Sequence, residues 1–482
     1  MGRRLTLIVL TMLIVVGMVS VSSAVVRHIY IASTDGYVTM PDGTTHWIRG
    51  FVACNPPATP GGPFDPMAAN CPPPGSATLP GPIIDVNAGD DVFIHMVNIG
   101  NVNAIAPADP HTVHLHGIHA TTQNDGWPEN SFEVPVPVGG VYSEATYYFY
   151  AEKPGTYMYH CHVEASEHVQ MGMYGAMIIR PTGFAQCAPG TIPCPTQTVF
   201  GGGYNDQYDY EYVVMISDFD SRWHAFIAAG AGAAPAPGGK KKKKKIKLFN
   251  PVNFRPDYWL VNGRAFPDSI RPVYGTPGVG AVGNPPLSGP PIGHVPGSNN
   301  FVTYKGLIEI PNWDNTTATA TTGPRVLVRL INIGFDAEPW HIHGWHFTVV
   351  GKDANPIPLT AQSMEYTTLI GSGETQDIII EATKRDTIGL YAQNSPGFIQ
   401  NVTIAPATPV IAQNIPLVTD LGCLAGSPYP SPNCAEVAPA PGNLAVQWFP
   451  MHNHDDYKVT NNGIYPGGQA TLIYAHPGPA VQ

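Results

Sequence analysis

The sequence predicts an all-β protein built from two copies of one β-barrel or sandwich domain, interrupted by long Gly/Pro-rich inserts. Three observations carry this reading. Of the 482 residues, 51 are Gly and 51 are Pro, far more helix breakers than helical folds carry. The 43% apolar and 10% aromatic content supports real cores and excludes a disordered chain. A block of strand, turn and histidines also occurs twice, in the same order. Only 12% of residues are charged, about half the usual ~25%. The net charge of −11 does not suit a nucleic-acid binder.

Taken in chain order, the first element is an export signal over residues 1–24. Arg3 and Arg4 form a basic start, residues 5–19 are an apolar run, and Ser22-Ser23-Ala24 offers small residues before a cut. The run is short for a membrane span, and no later stretch could cross one. The paired arginines hint at twin-arginine export. The protein is therefore expected to be periplasmic or secreted. Six of the seven cysteines fall in local pairs within Pro/Gly-rich loops: Cys54 with Cys71, Cys187 with Cys194, and Cys423 with Cys434. In an oxidising compartment these pairs can close surface loops, although six cysteines allow about 15 connectivities. Cys161 is left over, between two histidines.

The repeat defines the domains. Asp91–Asn98 alternates like a strand and leads through Ile99-Gly100 to His114, His116 and His119. Arg325–Asn332 leads through Ile333-Gly334 to His341, His343 and His346 in the same way. Each half then reaches a further pair, His160/His162 or His452/His454. The first domain is placed at 26–182 and the second at 205–482, with a linker at 181–203. The second copy is swollen by an insert at about 225–320. It carries six consecutive lysines at 240–245, which read as a solvated loop.

Spacing turns the histidines into a site. Residues i and i+2 of a strand share a face, so each His-x-His aims two imidazoles at one spot. Four such pairs, in two repeats of two, point to a metal cluster, and neutral imidazoles suit copper. If His160 and His162 face that cluster, Cys161 faces the other way. Near it in sequence lie His111, His168 and Met173. Two histidines, a thiolate and a weak thioether make a blue-copper electron-transfer site.

These blocks are similar to multicopper oxidases built from cupredoxin domains, which are Greek-key β-barrels or sandwiches. The resemblance rests on His111-Thr-Val-His114-Leu-His116-Gly117, His160-Cys161-His162 with His168 and Met173, the segment Val261-Asn262-Gly263-Arg264-Ala265-Phe266-Pro267, His341-Ile-His343-Gly344, and His452-Asn453-His454. It implies a laccase-like enzyme with four coppers per chain. Type 1 copper, held by His111, Cys161, His168 and Met173, would take single electrons from a small reducing substrate. Type 2 copper would sit on His114 and His341. The type 3 pair would sit on His116, His160, His162, His343, His452 and His454. Together the last three coppers reduce O2 to water. Asp125, in an Asn-Asp-Gly turn, matches an acid that relays protons there. The second acid often found after the type 1 histidine is missing, since Val169 stands in its place; Glu164 and Glu167 are nearby alternatives. His119 and His346 read as supporting or packing residues.

The departures from the family pattern matter too. Three-domain laccases keep type 1 copper in the C-terminal motif, where this chain has Glu338, Asn453 and, approximately, Lys458. The intact set lies in the first half, as in two-domain relatives that place the cluster between subunits of a homotrimer. A copper nitrite reductase is the alternative enzyme, and a non-catalytic periplasmic copper-binding protein the alternative from another class. The physiological donor stays open: phenols, aromatic amines, Cu(I), Fe(II), Mn(II) or a protein. The 13 methionines are scattered, so no Met-rich segment points to Cu(I).

Overall fold

A computed structural model of the chain describes residues 25–230, 249–270, 295–385 and 447–480, apart from residues 60, 63, 67–69, 189 and 300. The expected export signal, the lysine run and the Cys423/Cys434 pair lie outside the described residues.

The first half is a sandwich of two four-stranded sheets. One has the order β2 (Thr45–Ala53), β1 (Val26–Thr39), β4 (Asp91–Asn98), β6 (Glu144–Tyr150). The other has the order β3 (Ile84–Asn87), β8 (Tyr174–Arg180), β7 (Gly155–His160), β5 (His114–His116). The strand β6 shows why these segments pair. Ala145, Tyr147 and Phe149 are buried and alternate with more exposed residues, the period-2 pattern of a strand with one face on the core. A short helix, α1 (Ala165–Gln170), follows β7. The core between the sheets includes Ile31, Ile94, Leu115, Tyr147, Tyr159 and Cys161.

The second half repeats this wiring. Its first sheet contains β10 (Tyr258–Val261), β9 (Tyr210–Phe219), β12 (Arg325–Asn332) and β18 (Thr375–Glu381) in that order, extended by β14 (Phe347–Lys352), β15 (Asn355–Pro356) and β16 (Met364–Glu365). Its second sheet runs β11 (Ile308–Ile310), β20 (Ala470–Ala475), β19 (Gln447–Asn453), β13 (Glu338–Ile342), β17 (Thr367–Ile370). The strands β1 and β4 pair in parallel, as do β9 and β12; β3 with β8 matches β11 with β20. A helix, α2 (Ser221–Ala228), follows β9, with the Asp220 side chain accepting from the Arg222 N–H as its N-cap.

The halves are packed together, not merely linked. Met158, Val169, Tyr174 and Ile178 of the first share a buried cluster with Val213, Met215, Leu260 and Ile331 of the second. Beside it runs a buried ion network. Arg180 pairs with Asp85 and Glu211, while Arg329 pairs with Glu211 and Asp377 and bonds the Thr156 hydroxyl. Disulfides join Cys54 to Cys71 and Cys187 to Cys194, and Cys161 is a free, buried thiol.

Candidate metal centre

The topology brings the histidine pairs of each half together on neighbouring strands. His114 lies opposite His160 in the β5–β7 register, and His341 lies opposite His452 in the β13–β19 register. Only His114 and His116 lie together inside one strand; the other three pairs straddle a strand end. The backbone keeps their alternation there because ladder-like bonds continue: Cys161 N–H to Met173 O at 3.0 Å, His343 N–H to Pro450 O at 3.0 Å, and His454 N–H to Pro339 O at 2.8 Å.

The first set comprises His114, His116, His160 and His162, with ring centroids 5.0 to 5.6 Å apart. Trp127 stacks on His162. The second set, His341, His343, His452 and His454, has centroids 4.8 to 5.8 Å apart. Among the described residues no ring contact or hydrogen bond joins one set to the other. His160 is buried, whereas His343 and His454 are exposed. The second set thus opens to solvent.

Hydrogen bonds to carbonyls fix which nitrogen His114, His160 and His452 present. The Nδ1 of His160 lies 2.9 Å from its neighbour's carbonyl, Cys161 O, and that of His452 lies 2.7 Å from Asn453 O. His114 Nδ1 faces Asp125 O at 2.6 Å, and His341 Nδ1 faces Thr367 Oγ1 at 2.7 Å. Each carbonyl needs a proton on Nδ1, so Nε2 keeps a lone pair. Those lone pairs face a second ring: His452 Nε2 is 3.2 Å from His343 Nε2, and His160 Nε2 is 3.3 Å from His116 Nδ1, each within hydrogen-bond distance. Burial lowers the His160 imidazolium to about 3, so the ring is neutral at physiological pH. Imidazole nitrogens converging at this spacing are a donor set that suits a cation. The Asp125 carboxylate lies 3.5 Å from His114 Nδ1.

A second kind of site lies behind the first. Cys161 is fully buried, and its Sγ is 3.3 Å from His168 Nδ1 and 3.9 Å from His111 Nδ1. Met173 is also fully buried in the core that holds Cys161, and its backbone joins Cys161 and His168. Helix α1 carries His168 into place. Burial pushes the Cys161 thiol up to about 11 and the His168 imidazolium down to about 4. The Thr112 N–H points at Sγ from 3.4 Å, as a thiolate ligand requires. Soft sulfur flanked by two Nδ1 atoms fits copper. Cys161 thus touches both sites, one through Sγ and the other through its carbonyl to His160.

The C-terminal counterpart of this sulfur site is closed. Glu338 and Asn453 bond to each other, and Lys458 Nζ lies 2.9 Å from Glu338 Oε2, with Lys458 and Glu338 both buried. An ammonium stands where a cation would need donors.

Sequence reading missed two residues here. Asp109 Oδ, a Glu167 carboxylate oxygen and a His168 nitrogen lie within 4.8 Å of one another, and Arg49 pairs with Asp109 at 2.5 Å. No spacing links Arg49 or Asp109 to His168, so neither carried a signal. Burial raises the Glu167 carboxyl to about 7. Glu164 is exposed, at a left-handed turn with φ of 44°, and His119 is a surface residue paired with Glu152. His346 is exposed and contacts the Tyr366 ring.

Comparison with known proteins agrees with this architecture. Multicopper oxidase family models match residues 76–183 and 292–397. Laccase-24 of Oryza sativa subsp. japonica is 37% identical over 118 residues, 24% of this chain and 18% of that protein. Oxidoreductase OpS5 of Beauveria bassiana is 39% identical over 104 residues, 21% of this chain and 16% of that protein. The chain therefore aligns with under a fifth of the length of these relatives. Among solved structures, Multicopper Oxidase mgLAC matches with a TM-score of 0.51 at 20% identity, over 94% of this chain and 88% of that one. Blue Copper Oxidase from Nitrosomonas europaea matches with a TM-score of 0.50 at 19% identity, over 93% of this chain and 86% of the other. These two share the fold. A multicopper oxidase family match in each half, on a shared fold, supports reading the chain as a two-domain, laccase-like cupredoxin protein.

Proposed function

We propose that this protein oxidises a small reducing substrate one electron at a time and passes the electrons to O2, forming water. Its first domain, 26–182, would hold type 1 copper on His111, Cys161, His168 and Met173. The second, 205–482, would supply His341, His343, His452 and His454 to a trinuclear site completed by His114, His116, His160 and His162. Copper, four ions per chain, would supply the one-electron steps and the reduction of O2. One observation carries the reading: Cys161 lies buried between His111 and His168 while its neighbours, His160 and His162, join the other histidine set.

The residues divide the work. The Cys161 carbonyl, bonded to the His160 ring, gives electrons a short covalent and hydrogen-bonded route from the sulfur to the first histidine set. Asp125, beside His114 and half-exposed, is positioned to hold and pass protons from solvent. Thr112 and the Cys161 neighbours keep water from the sulfur.

Each chain holds two half-sets that do not meet, and the second opens to solvent. We therefore read the active form as a homotrimer in which one subunit's first set faces the next subunit's second set, a heterologous contact that closes into a ring. Residues 1–24 support export to the periplasm or beyond. Among the described residues no helix is long and apolar enough to cross a membrane.

An organic donor, a phenol or aromatic amine, suits the type 1 surroundings better than a metal ion. The Arg49 guanidinium beside His168 repels a cation approaching Asp109 and Glu167. An O2-uptake panel over phenols, aromatic amines, Cu(I), Fe(II) and Mn(II) tests this. Turnover is expected with the organic donors; turnover with the metal ions alone would contradict it.

A further inference from the structure

The Arg49 side chain is wholly buried, which is unusual for a guanidinium. It is held at four points. Nη1 lies 2.5 Å from Asp109 Oδ2, Nη2 lies 2.5 Å from Pro107 O, and the group sits 5.3 Å from the Trp47 ring. The Arg49 N–H also bonds Met171 O, which follows α1. So placed, Nη1 comes within 2.8 Å of His168 Nε2, the ring nitrogen facing away from Cys161. The same charge is felt at His111 and Cys161 as well.

We propose that Arg49, balanced by Asp109, sets the reduction potential of the copper held by His111, Cys161 and His168. The inference rests on the type 1 reading of those residues. Taking up one electron from the donor lowers the charge at the three ligands by one, and the electron leaves later toward the histidine sets. A fixed positive charge at the outer edge of the His168 ring favours the reduced form. Asp109 opposes it, but its carboxylate is 26% exposed whereas the guanidinium is 0% exposed. Water screens the exposed charge more, so the field of Arg49 prevails and the potential is raised. Groups beyond the ligands commonly tune copper sites in this way. Arg49 is a tuning residue: it touches a ligand, not the reacting atoms.

Redox titration of the blue absorption band in the copper-loaded protein tests this. Arg49→Gln is expected to shift the reduction equilibrium about tenfold toward the oxidised form, which for a one-electron couple is ~59 mV downward. Asp109→Asn is expected to shift it upward, and Arg49→Lys, which keeps the charge, to stay near the wild type. Equal potentials in Arg49→Gln and wild type, or a downward shift in both Arg49→Gln and Asp109→Asn, would overturn the proposal. Loss of the blue band in all three variants would also overturn it, since the cluster would then build the site rather than tune it. A wild-type protein without a blue band, fully loaded with copper, would sink the type 1 reading itself and this inference with it.

Discussion

Gly126 shows how closely the first histidine set is held. Its φ is +79°, and a Cβ there would lie 2.1 Å from Val113 O, so only glycine fits. The residue before it is Asp125, whose carbonyl orients His114. Gly126→Ala is expected to cost about 1–3 kcal/mol of stability through backbone strain and the clash. It should also lower copper occupancy at His114 while the blue band remains; metal analysis with absorption spectra checks both. The two kinds of site separate under mutation. Cys161→Ser should abolish the blue band and donor oxidation yet spare trinuclear copper, and His341→Ala should spare the band yet stop O2 uptake. A Cys161→Ser protein that stays blue would refute the sulfur-site reading. At this scale much was legible in the sequence, because His-x-His spacing encodes direction locally. Arg49 and Asp109 were not, since Arg49 and His168 are 119 residues apart and only the fold joins them.

Between the sheets, charge does what the apolar core cannot. Arg180, Asp85, Glu211, Arg329 and Asp377 are all enclosed where β8 of the first domain meets β9 and β12 of the second. Burial alone would raise the Glu211 carboxyl, but Arg180 and Arg329 outweigh it and pull it down to about 2. That lies below its unfolded value of about 4.5. Glu211 therefore stabilises the fold above pH ~4.5, and this contribution is lost as pH falls toward ~2. Glu211→Gln leaves two buried guanidiniums short of a partner and should cost about 3–5 kcal/mol. Urea unfolding across pH should show that difference at pH 7 and its narrowing between ~4.5 and ~2. A constant difference over that window would refute the assignment. The strands β4 and β12 could be read directly from their patterns. Helix α1 could not, because six residues are too few for a periodic signal. The ends of β7, β13 and β19 were also hidden, since backbone bonds to distant loops decide them.

The duplicated wiring explains how a chain with two domains can carry the histidines of a larger oxidase. Each half displays four imidazoles, and among the described residues no ring contact or hydrogen bond joins the two sets within one chain, although His116 lies beside Gly373 of the second half. The lost sulfur site fits the same plan. Asn453→Cys should not create a second blue band, because Lys458 and Glu338 fill the place between them; spectra of the copper-loaded variant check this. The repeat was visible in the sequence, but the packing of the halves was not, since it depends on a buried cluster that gathers residues as distant in sequence as Val169, Val213 and Ile331. The central claim is that both histidine sets act together, in trimers, as a trinuclear site fed by a separate blue copper. The ratio of copper to chain in the purified, copper-saturated protein tests it most directly. The account predicts four coppers per chain; two or fewer at saturation would contradict it.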